Sequence, residues 1–479
     1  MEQTDPEHDP AQLRWLFIDL NAFFANAEQQ MNPQWRGKPV IVRPAPSEFS
    51  GAIAASYESR LYGIRTGTSV REARRLCPDV VIAEARPDVY VKLHKQIMAE
   101  IERHMPIYKI GSIDECSCEL MGPQRIEANA VALARRIQQG IKDNVGECLR
   151  SSVGLAPSRF LAKTACGMKK PDGLTVLRQH ELPQAIEHLP ISAFPGIGKR
   201  MEGRLAQAGI HTTAQLWAMG AKEARHLWGS VEGERVWRGL HGLHVEPPAE
   251  QPTASIGHSH VLQMAMRTPD KSRAVARRLL VKCGSRLRRM DVTGSVLGLS
   301  IELETTDRSV SKRGQKLSYQ CQVPPTQDTF ALLSALDGLW AQAAPALRRH
   351  RPHTVGVHIH ELTPRGAHAP DLFGQAPDQN GNARSLKLSK AMDALNKRFG
   401  KDTVSIGPAN DLPRYMGAKI AFNRIPRNTT SGNKRWIKAA QRPGPQSCRG
   451  RPVRCPPLWR GWPLRSPRPQ SLRARHPRR

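Results

Sequence analysis

Between Lys109 and Leu120 the chain reads KIGSIDECSCEL, the stretch that most narrows what it can fold into. It has the character of a buried strand, yet it carries two adjacent carboxylates, Asp114 and Glu115. Neighbouring residues on a strand point to opposite faces, so a strand covered on both sides turns one carboxylate inward however it lies. Such burial is strongly unfavourable unless a cation, hydrogen bonds or a metal ion meets the charge. The ordinary resolution is one surface carboxylate beside one ion-paired carboxylate. The other resolution needs further acids on neighbouring strands. Asp19, at the end of the apolar run WLFI, is one. Strand-end carboxylates gathered on one sheet can hold two Mg²⁺ ions, because cations about 3.5–4 Å apart need anionic oxygens shared between them.

The chain around these acids alternates strand and helix, as an α+β protein does. Residues 1–12 are polar and expected to be disordered. Trp15–Ile18 reads as a strand with Asp19 at its end, and a helix follows. KPVIVR is a second strand. GAIAASYESRLYGIRTG is a strand passing into a Gly-marked turn that carries Tyr57 and Arg60, and REARRLC is a short basic helix. In VYVKLHKQIMAEIERHM, Leu93, Ile97 and Ile101 recur on one helical face. RIEANAVALARRIQQGIKDNVG is amphipathic in the same way. RSSVGLAP reads as a strand and SRFLAKTACGMKK as a helix whose start is marked by Pro157 and Ser158. Lys170 stands just ahead of the Pro-Asp-Gly turn that follows.

From Leu182 short helices and Gly-containing turns take over. In FPGIGKRMEGRLAQAGI, Gly196 and Gly198 let backbone amides approach a phosphate and Lys199 adds charge. This is the helix-hairpin-helix pattern, which grips the DNA backbone without reading its sequence; a plain helical turn is the ordinary reading of the same residues. VEPPAEQPTAS is a Pro-rich linker. Beyond it ASIGHSHVLQ, DKSRAVARRLLVKCGSRLRRM, GSVLGLSIEL, KLSYQCQV, DTFALLSALDGLWAQAAPAL and HTVGVHIHEL spell βαββαβ, a sheet with two helices on one face. Arg273, Arg277, Lys282, Arg286 and Arg289 give the first of these helices a basic side, expected to face nucleic acid. RSLKLSKAMDALNKRFGKDTV is one more amphipathic helix.

Charge points the same way. The 479 residues include 72 Lys and Arg against 42 Asp and Glu, a formal net charge of +30, which calls for a polyanionic partner. No apolar run is expected to span a bilayer, which takes about 20 residues. Fifteen of the basic residues and none of the acidic ones lie in Arg427–Arg479, so the body is basic without that tail. Nine cysteines lack CxxC spacing and read as reduced thiols of a cytoplasmic protein, and Cys116 and Cys118 stand too close for a zinc pair.

IDLNAFFANAEQ, ASYESRLYGIRTG, SIDE, SVGLAPSRFLAKTACGMKKPDGL and FPGIGKRMEGRLAQAGI occur in the order and spacing of one family. Over roughly Leu13 to Leu362 the chain resembles the Y-family translesion DNA polymerases, in particular the DNA polymerase IV type, with some UmuC-like features. The resemblance implies a multidomain right-hand polymerase. Its palm would be 13–22 and 87–175, its fingers 23–86, and its helical thumb with the helix-hairpin-helix 176–246. A linker at 247–254 would lead to a βαββαβ little finger at 255–363, a C-terminal extension at 364–426 and a disordered basic tail at 427–479. The implied activity is template-directed, error-prone translesion synthesis, by two-metal nucleotidyl transfer from dNTPs to a primer 3′-OH. Asp19 and Asp114 would bridge two Mg²⁺ ions, with Glu115 and the Leu20 carbonyl completing the ligands. Tyr57, Arg60 and Lys170 would hold the triphosphate. Phe24 would be the steric gate against ribonucleotides, with Phe23 beside it under the sugar, although core packing is the ordinary reading of this pair. Gly196, Gly198 and Lys199 would hold DNA. Three places depart from the family pattern. Asn21 stands where many relatives carry an acid, Ala54 where a hydroxyl is common, and Cys116-Ser117-Cys118-Glu119 where Ala, an aromatic and Leu-Asp are usual.

Two other readings stay open. One is a catalytically silent polymerase-like DNA-damage scaffold, which loss of a metal ligand would mark. The other is a helix-hairpin-helix DNA-binding protein, which leaves the acidic triad unexplained. The expected partners are primed template DNA, dNTPs and a replicative sliding clamp, the last reached through Leu372 and Phe373 of PDLFG unless these anchor the segment on its own domain. No membrane partner is expected, and the protein is expected to act as a monomer in the bacterial cytoplasm, at the nucleoid. The tail reads either as a basic arm adding non-specific DNA affinity or as a segment translated out of its ancestral frame; both predict disorder.

Overall fold

The computed structural model describes residues 13–245, 253–304, 314–365, 379–400 and 403–407. The expectations placed on 1–12, on most of the linker, on Leu372 and Phe373 and on the tail 427–479 lie outside the described residues. Before the linker the chain forms β1 (Trp15–Leu20), β2 (Val40–Arg43), β3 (Ala54–Ala55), β4 (Val81–Glu84), β5 (Lys109–Ile110), β6 (Glu115–Glu119), β7 (Ser151–Ala156) and β8 (Leu174–Val176). After it come β9 (Ser255–Val261), β10 (Val292–Leu303), β11 (Lys316–Thr326) and β12 (Pro352–Pro364).

The first sheet has the order β5-β6-β1-β7-β8. Its central strand β1 runs antiparallel to both β6 and β7, and β8 runs parallel to β7. Alternation along β1 sorts the two faces. Leu16, Ile18 and Leu20 join Cys116, Cys118, Val153 and Leu155 in one core, against the helices Pro87–Glu102 and Glu127–Asn144. Those helices contribute Leu93, Ile97, Ile101, Ile137 and Ile141, at the spacing the sequence predicts. Trp15 and Phe17 face the other way, onto the helix Arg159–Met168 and its Leu161, Ala162 and Ala165. Gly154 lets that helix lie close, since a Cβ there would stand 2.0 Å from the Ala162 carbonyl oxygen.

KIGSIDECSCEL is not one strand. Lys109–Ile110 folds back as an exposed edge strand on Cys116 and Ser117, and Asp114 lies in the bend that joins the two, one residue before β6. The polar, flexible residues Gly111 and Ser112 make that reversal possible. Tyr57 and Arg60 sit on a short helix, Tyr57–Arg60, capped by the Ser56 side chain, rather than in a turn. Two short strands carry little sequence signal, β4 and β8. The first completes a small sheet of order β3-β2-β4, and the second adds the last strand of the first sheet.

Between β8 and the linker the chain is helical, with Lys199–Gln207, Thr213–Ala218, Ala221–Trp228 and Val231–Leu240 around Phe194, Ile197, Leu205 and Leu216. The last region is the expected βαββαβ unit. Its sheet runs β11-β10-β12-β9, and the helices Pro269–Met290 and Thr329–Leu347 share one core with Ile256, Leu297, Leu299, Val355 and Val357. One correction concerns hydropathy. Thr329–Leu347 is long and apolar enough to cross a membrane, yet Leu332, Leu336, Leu339 and Trp340 are buried in this core. On the basic helix, Arg273 and Arg277 pair with Asp337 on the neighbouring helix, at 3.0 and 2.5 Å, while Arg289 is exposed. A further helix, Gln379–Phe399, is tied on by Arg288, which donates to Asp393 at 2.6 and 3.1 Å.

Candidate active site

Register brings two of the three acids side by side. Asp19 on β1 pairs with Glu115, the first residue of β6, and the Leu20 amide donates to the Asp114 carbonyl at 2.7 Å. By alternation Asp19 and Glu115 share the sheet face of Trp15 and Phe17, the face that carries helix Arg159–Met168. Cys116 and Cys118 therefore point into the opposite core and do not enter the site. The Cys116 thiol is pushed up by its hydrogen bond with Cys118 and by burial, so it stays protonated.

Each carboxylate has its own partner. Lys170 Nζ stands 2.6 Å from Asp19 Oδ1. Lys163 Nζ donates to both oxygens of Glu115, at 2.9 and 2.8 Å, and lies 5.3 Å from the centre of the Phe17 ring. The Ser112 hydroxyl donates to Asp114. Burial raises the Asp19 carboxyl above its ordinary range. Lys170 opposes that, and the charges of Asp114 and Glu115 add to it. For Lys170 burial pulls down, but the charge and hydrogen bond of Asp19 outweigh it and the ammonium is held above its usual value. The three carboxylates thus feel one another across the end of the sheet.

Asn21 organises this end. It is buried, its amide donates weakly towards Asp19 at 3.4 and 3.5 Å, and its Oδ1 accepts from Ser152 at 3.0 Å and from the Asp172 amide at 2.9 Å. An acid at this position would meet the last two donors equally well but would add a fourth charge. Asn21 instead links the end of β1 to the turn that presents Lys170. Neither this role nor Lys163 was legible in the sequence. A lysine among Ala162, Thr164 and Ala165, all buried on its helix, was the available signal.

The other expected residues are placed as follows. Tyr57 and Arg60 stack, with the guanidinium 4.2 Å from the ring centre. The Tyr57 hydroxyl is buried and has no hydrogen-bond partner among the described residues. Phe23 and Phe24 are both buried at the start of the helix Phe23–Met31, next to the Leu20–Ala22 turn. Gly196 has φ +83°, a backbone position that suits glycine, and Gly198 opens the helix Lys199–Gln207 with Lys199 exposed in its first turn.

The donor set suits a hard divalent cation. Among the described residues no three His, Cys, Asp or Glu side chains converge closely enough to hold a metal ion by themselves. A hard divalent cation held by one or two carboxylates completes its shell with substrate phosphates and water. The unpartnered Tyr57 hydroxyl and the neighbouring Lys170 offer a donor and a cation for those phosphates.

Residues 18–167 match the impB/mucB/samB family, and residues 253–372 match the C-terminal domain of that family. The chain is 33% identical over 398 residues to the DNA polymerase IV of Moorella thermoacetica, a match that covers 81% of this chain and 94% of that protein. It is 31% identical over 416 residues to the DNA polymerase IV of Pelotomaculum thermopropionicum, covering 84% and 98%. Its fold is similar to that of a solved Y-family DNA polymerase chimera, with a TM-score of 0.61 at 22% identity over 73% of this chain and 99% of the other.

Proposed function

Because the chain belongs to the DNA polymerase IV type of the Y-family DNA polymerases, we propose that Asp19, Asp114 and Glu115 are its catalytic carboxylates. The protein is a DNA-directed DNA polymerase of the translesion class and acts on template DNA and dNTPs. Divalent-metal dependence is general to such enzymes. Two Mg²⁺ ions, held by the three carboxylates and the Leu20 carbonyl, would activate the primer 3′-hydroxyl and stabilise the leaving pyrophosphate. The observation that carries this reading is the cross-strand pairing of Asp19 with Glu115, with the Asp114 backbone bonded to Leu20.

The chain's own residues do the rest. Lys170 and Arg60 neutralise the triphosphate, and the Tyr57 hydroxyl donates to it. Lys163 orients Glu115. Phe24 is the steric gate, an aromatic ring against C2′ that leaves no room for a 2′-hydroxyl, with Phe23 beside it under the sugar. Gly196, Gly198 and Lys199 hold the DNA backbone at a helix N-terminus. We assign residues 13–22 and 87–175 to the palm, 23–86 to the fingers, 176–246 to the thumb and 255–363 to the little finger. Leu372 and Phe373 are assigned to a sliding-clamp peptide, and the polymerase to a monomer at the bacterial nucleoid. Clamp capture that is equal for wild type and for L372A/F373A would remove the clamp assignment.

The silent-scaffold reading lacks the lost ligand that would mark it, since all three acids are present. Primer extension on a primed template with dNTPs decides between them. Extension that requires a divalent cation supports the polymerase site, and none at any Mg²⁺ or Mn²⁺ concentration by folded, DNA-binding protein restores the scaffold.

A further inference from the structure

The Phe24 ring does not stand alone. It stacks on Tyr90 with centroids 4.5 Å apart and planes 19° apart, and Phe23 meets both rings at 5.8 and 6.4 Å. Tyr90 belongs to helix Pro87–Glu102 and is fully buried. Its hydroxyl donates to Glu28 Oε1 at 2.7 Å. Glu28 lies one turn after Phe24 on the same helix, with its side chain only 1% exposed. Its carboxylate also accepts from Arg86 Nε at 3.0 Å, from a second Arg86 nitrogen, and from Asn32 Nδ2 at 3.3 Å. Ring, phenol, carboxylate and guanidinium close a loop that ties Phe23–Met31 to Pro87–Glu102 at two successive turns.

Two features make this loop more than core packing. The Glu28 carboxylate is buried while Arg86 is 40% exposed, and such a pair contributes a defined geometry more than stability. The helix it steadies also begins weakly. Ala22 precedes it at φ 44°, in the left-handed region, and no side chain caps its N-terminus. The aromatic stack therefore helps set the position of the first-turn residues Phe23 and Phe24 within the core. Burial and the charge of Glu28 both push the Tyr90 phenol up, so it remains a donor at every working pH.

We propose that Glu28, Arg86 and Tyr90 are positioning residues for sugar discrimination: they hold the Phe24 ring at the height at which it excludes a ribose 2′-hydroxyl. The proposal rests on the reading of Phe24 as the gate. A gate works by contact distance, and a retreat of the ring by a fraction of an ångström admits an oxygen atom without removing the floor for deoxyribose. Loss of the positioning bonds therefore raises ribonucleotide insertion more than it lowers deoxynucleotide insertion.

Single-nucleotide insertion kinetics on the full-length protein test this, with the ratio of kcat/KM for a dNTP to that for the matching rNTP as the readout. Tyr90→Phe keeps the ring and loses its bond to Glu28; Glu28→Gln keeps the shape and loses the charge. Each is expected to lower the ratio about tenfold, the scale of one hydrogen bond to a charged group. Phe24→Ala lowers it further. A merely structural role would slow both nucleotides alike and leave the ratio unchanged. If Phe24→Ala collapses discrimination while folded Tyr90→Phe and Glu28→Gln stay within twofold of wild type, the positioning proposal is overturned and the gate stands. If Phe24→Ala leaves the ratio unchanged, the gate reading itself falls. If Glu28→Gln does not fold, Tyr90→Phe decides alone.

Discussion

The sheet β5-β6-β1-β7-β8 and the C-terminal sheet β11-β10-β12-β9 are both covered by helices, and they treat charge in opposite ways. In the first, the carboxylates of Asp19 and Glu115 stand at strand ends, each met by a single lysine from the chain around helix Arg159–Met168. Those lysines keep a third or more of their side chains exposed, so the pairs open onto solvent. In the C-terminal sheet region the charges lie between helices. Arg273 and Arg277 share Asp337, and Arg288, only 6% exposed, is fully engaged by Asp393, Thr329 and the Gln327 carbonyl. Strand-end charge that opens to solvent can exchange its partner for a substrate or an ion. Charge closed between elements holds those elements together. The face of this C-terminal sheet not covered by helices carries Lys316, Ser318, Gln320 and Gln322 on β11 and His358 and His360 on β12, on either side of β10.

The largest effect that would break this contrast concerns the first sheet. Asp19→Ala and Asp114→Ala are each expected to reduce primer extension by orders of magnitude while leaving affinity for primed DNA within about threefold. Near-normal extension by either variant, or equal loss of DNA binding, would place these acids in the structural class with Asp337.

The next concerns Asp337. Burial pushes its carboxyl up, but hydrogen bonds from Arg277 and Arg273 outweigh that and hold it below the usual carboxylate value. A lowered pKa contributes stability above the unfolded value, about 3.9, which is lost as pH falls through the folded one. Asp337→Asn is expected to lower stability at pH 7 by about 1 kcal/mol, a figure discounted for the partial exposure of the side chain, without changing kcat. Denaturation followed from pH 7 downward should show wild type and variant converging below about pH 4. A constant gap at all pH values would mean that the carboxylate charge contributes nothing.

A smaller effect sharpens the assignment of faces. Lys316→Ala is expected to reduce the salt dependence of DNA binding by about one phosphate contact, whereas Arg273→Ala should leave the slope unchanged. The reverse pattern would return the basic helix to the DNA. The smallest effect is expected from the tail. A chain ending at Arg427 should keep turnover and lesion bypass at physiological salt and lose DNA affinity only at low salt. Abolished extension would make the tail part of the enzyme.

The sequence carried the outline because its strongest signals are local. The apolar run at Trp15–Ile18, the period of Leu93, Ile97 and Ile101, and the Pro157–Ser158 helix start are each contained within a few residues, and each is found where expected. The short strands β4 and β8 were missed because three or four residues cannot establish a period. Their hydrogen bonds to β2 and β7 make them strands. The bend before β6 was missed for a related reason: reversal after Ile110 depends on an edge position in the sheet, which no local pattern encodes.

The amino-acid order by itself determined which residue types reach the site: three acids, two aromatic rings, and Lys170 after a helix. Only the tertiary structure decided how they are matched. Lys163 meets Glu115 because Gly154 lets its helix lie against the sheet, and Asn21 spans two loops that are 151 residues apart in the chain. Arg273 and Arg277 are paired because Asp337 lies across from them on another helix. Charge in a sequence states what a residue can pair with. The partner is chosen by packing, because the Coulomb term depends on distance and burial, and both are set only when elements far apart in the chain come together.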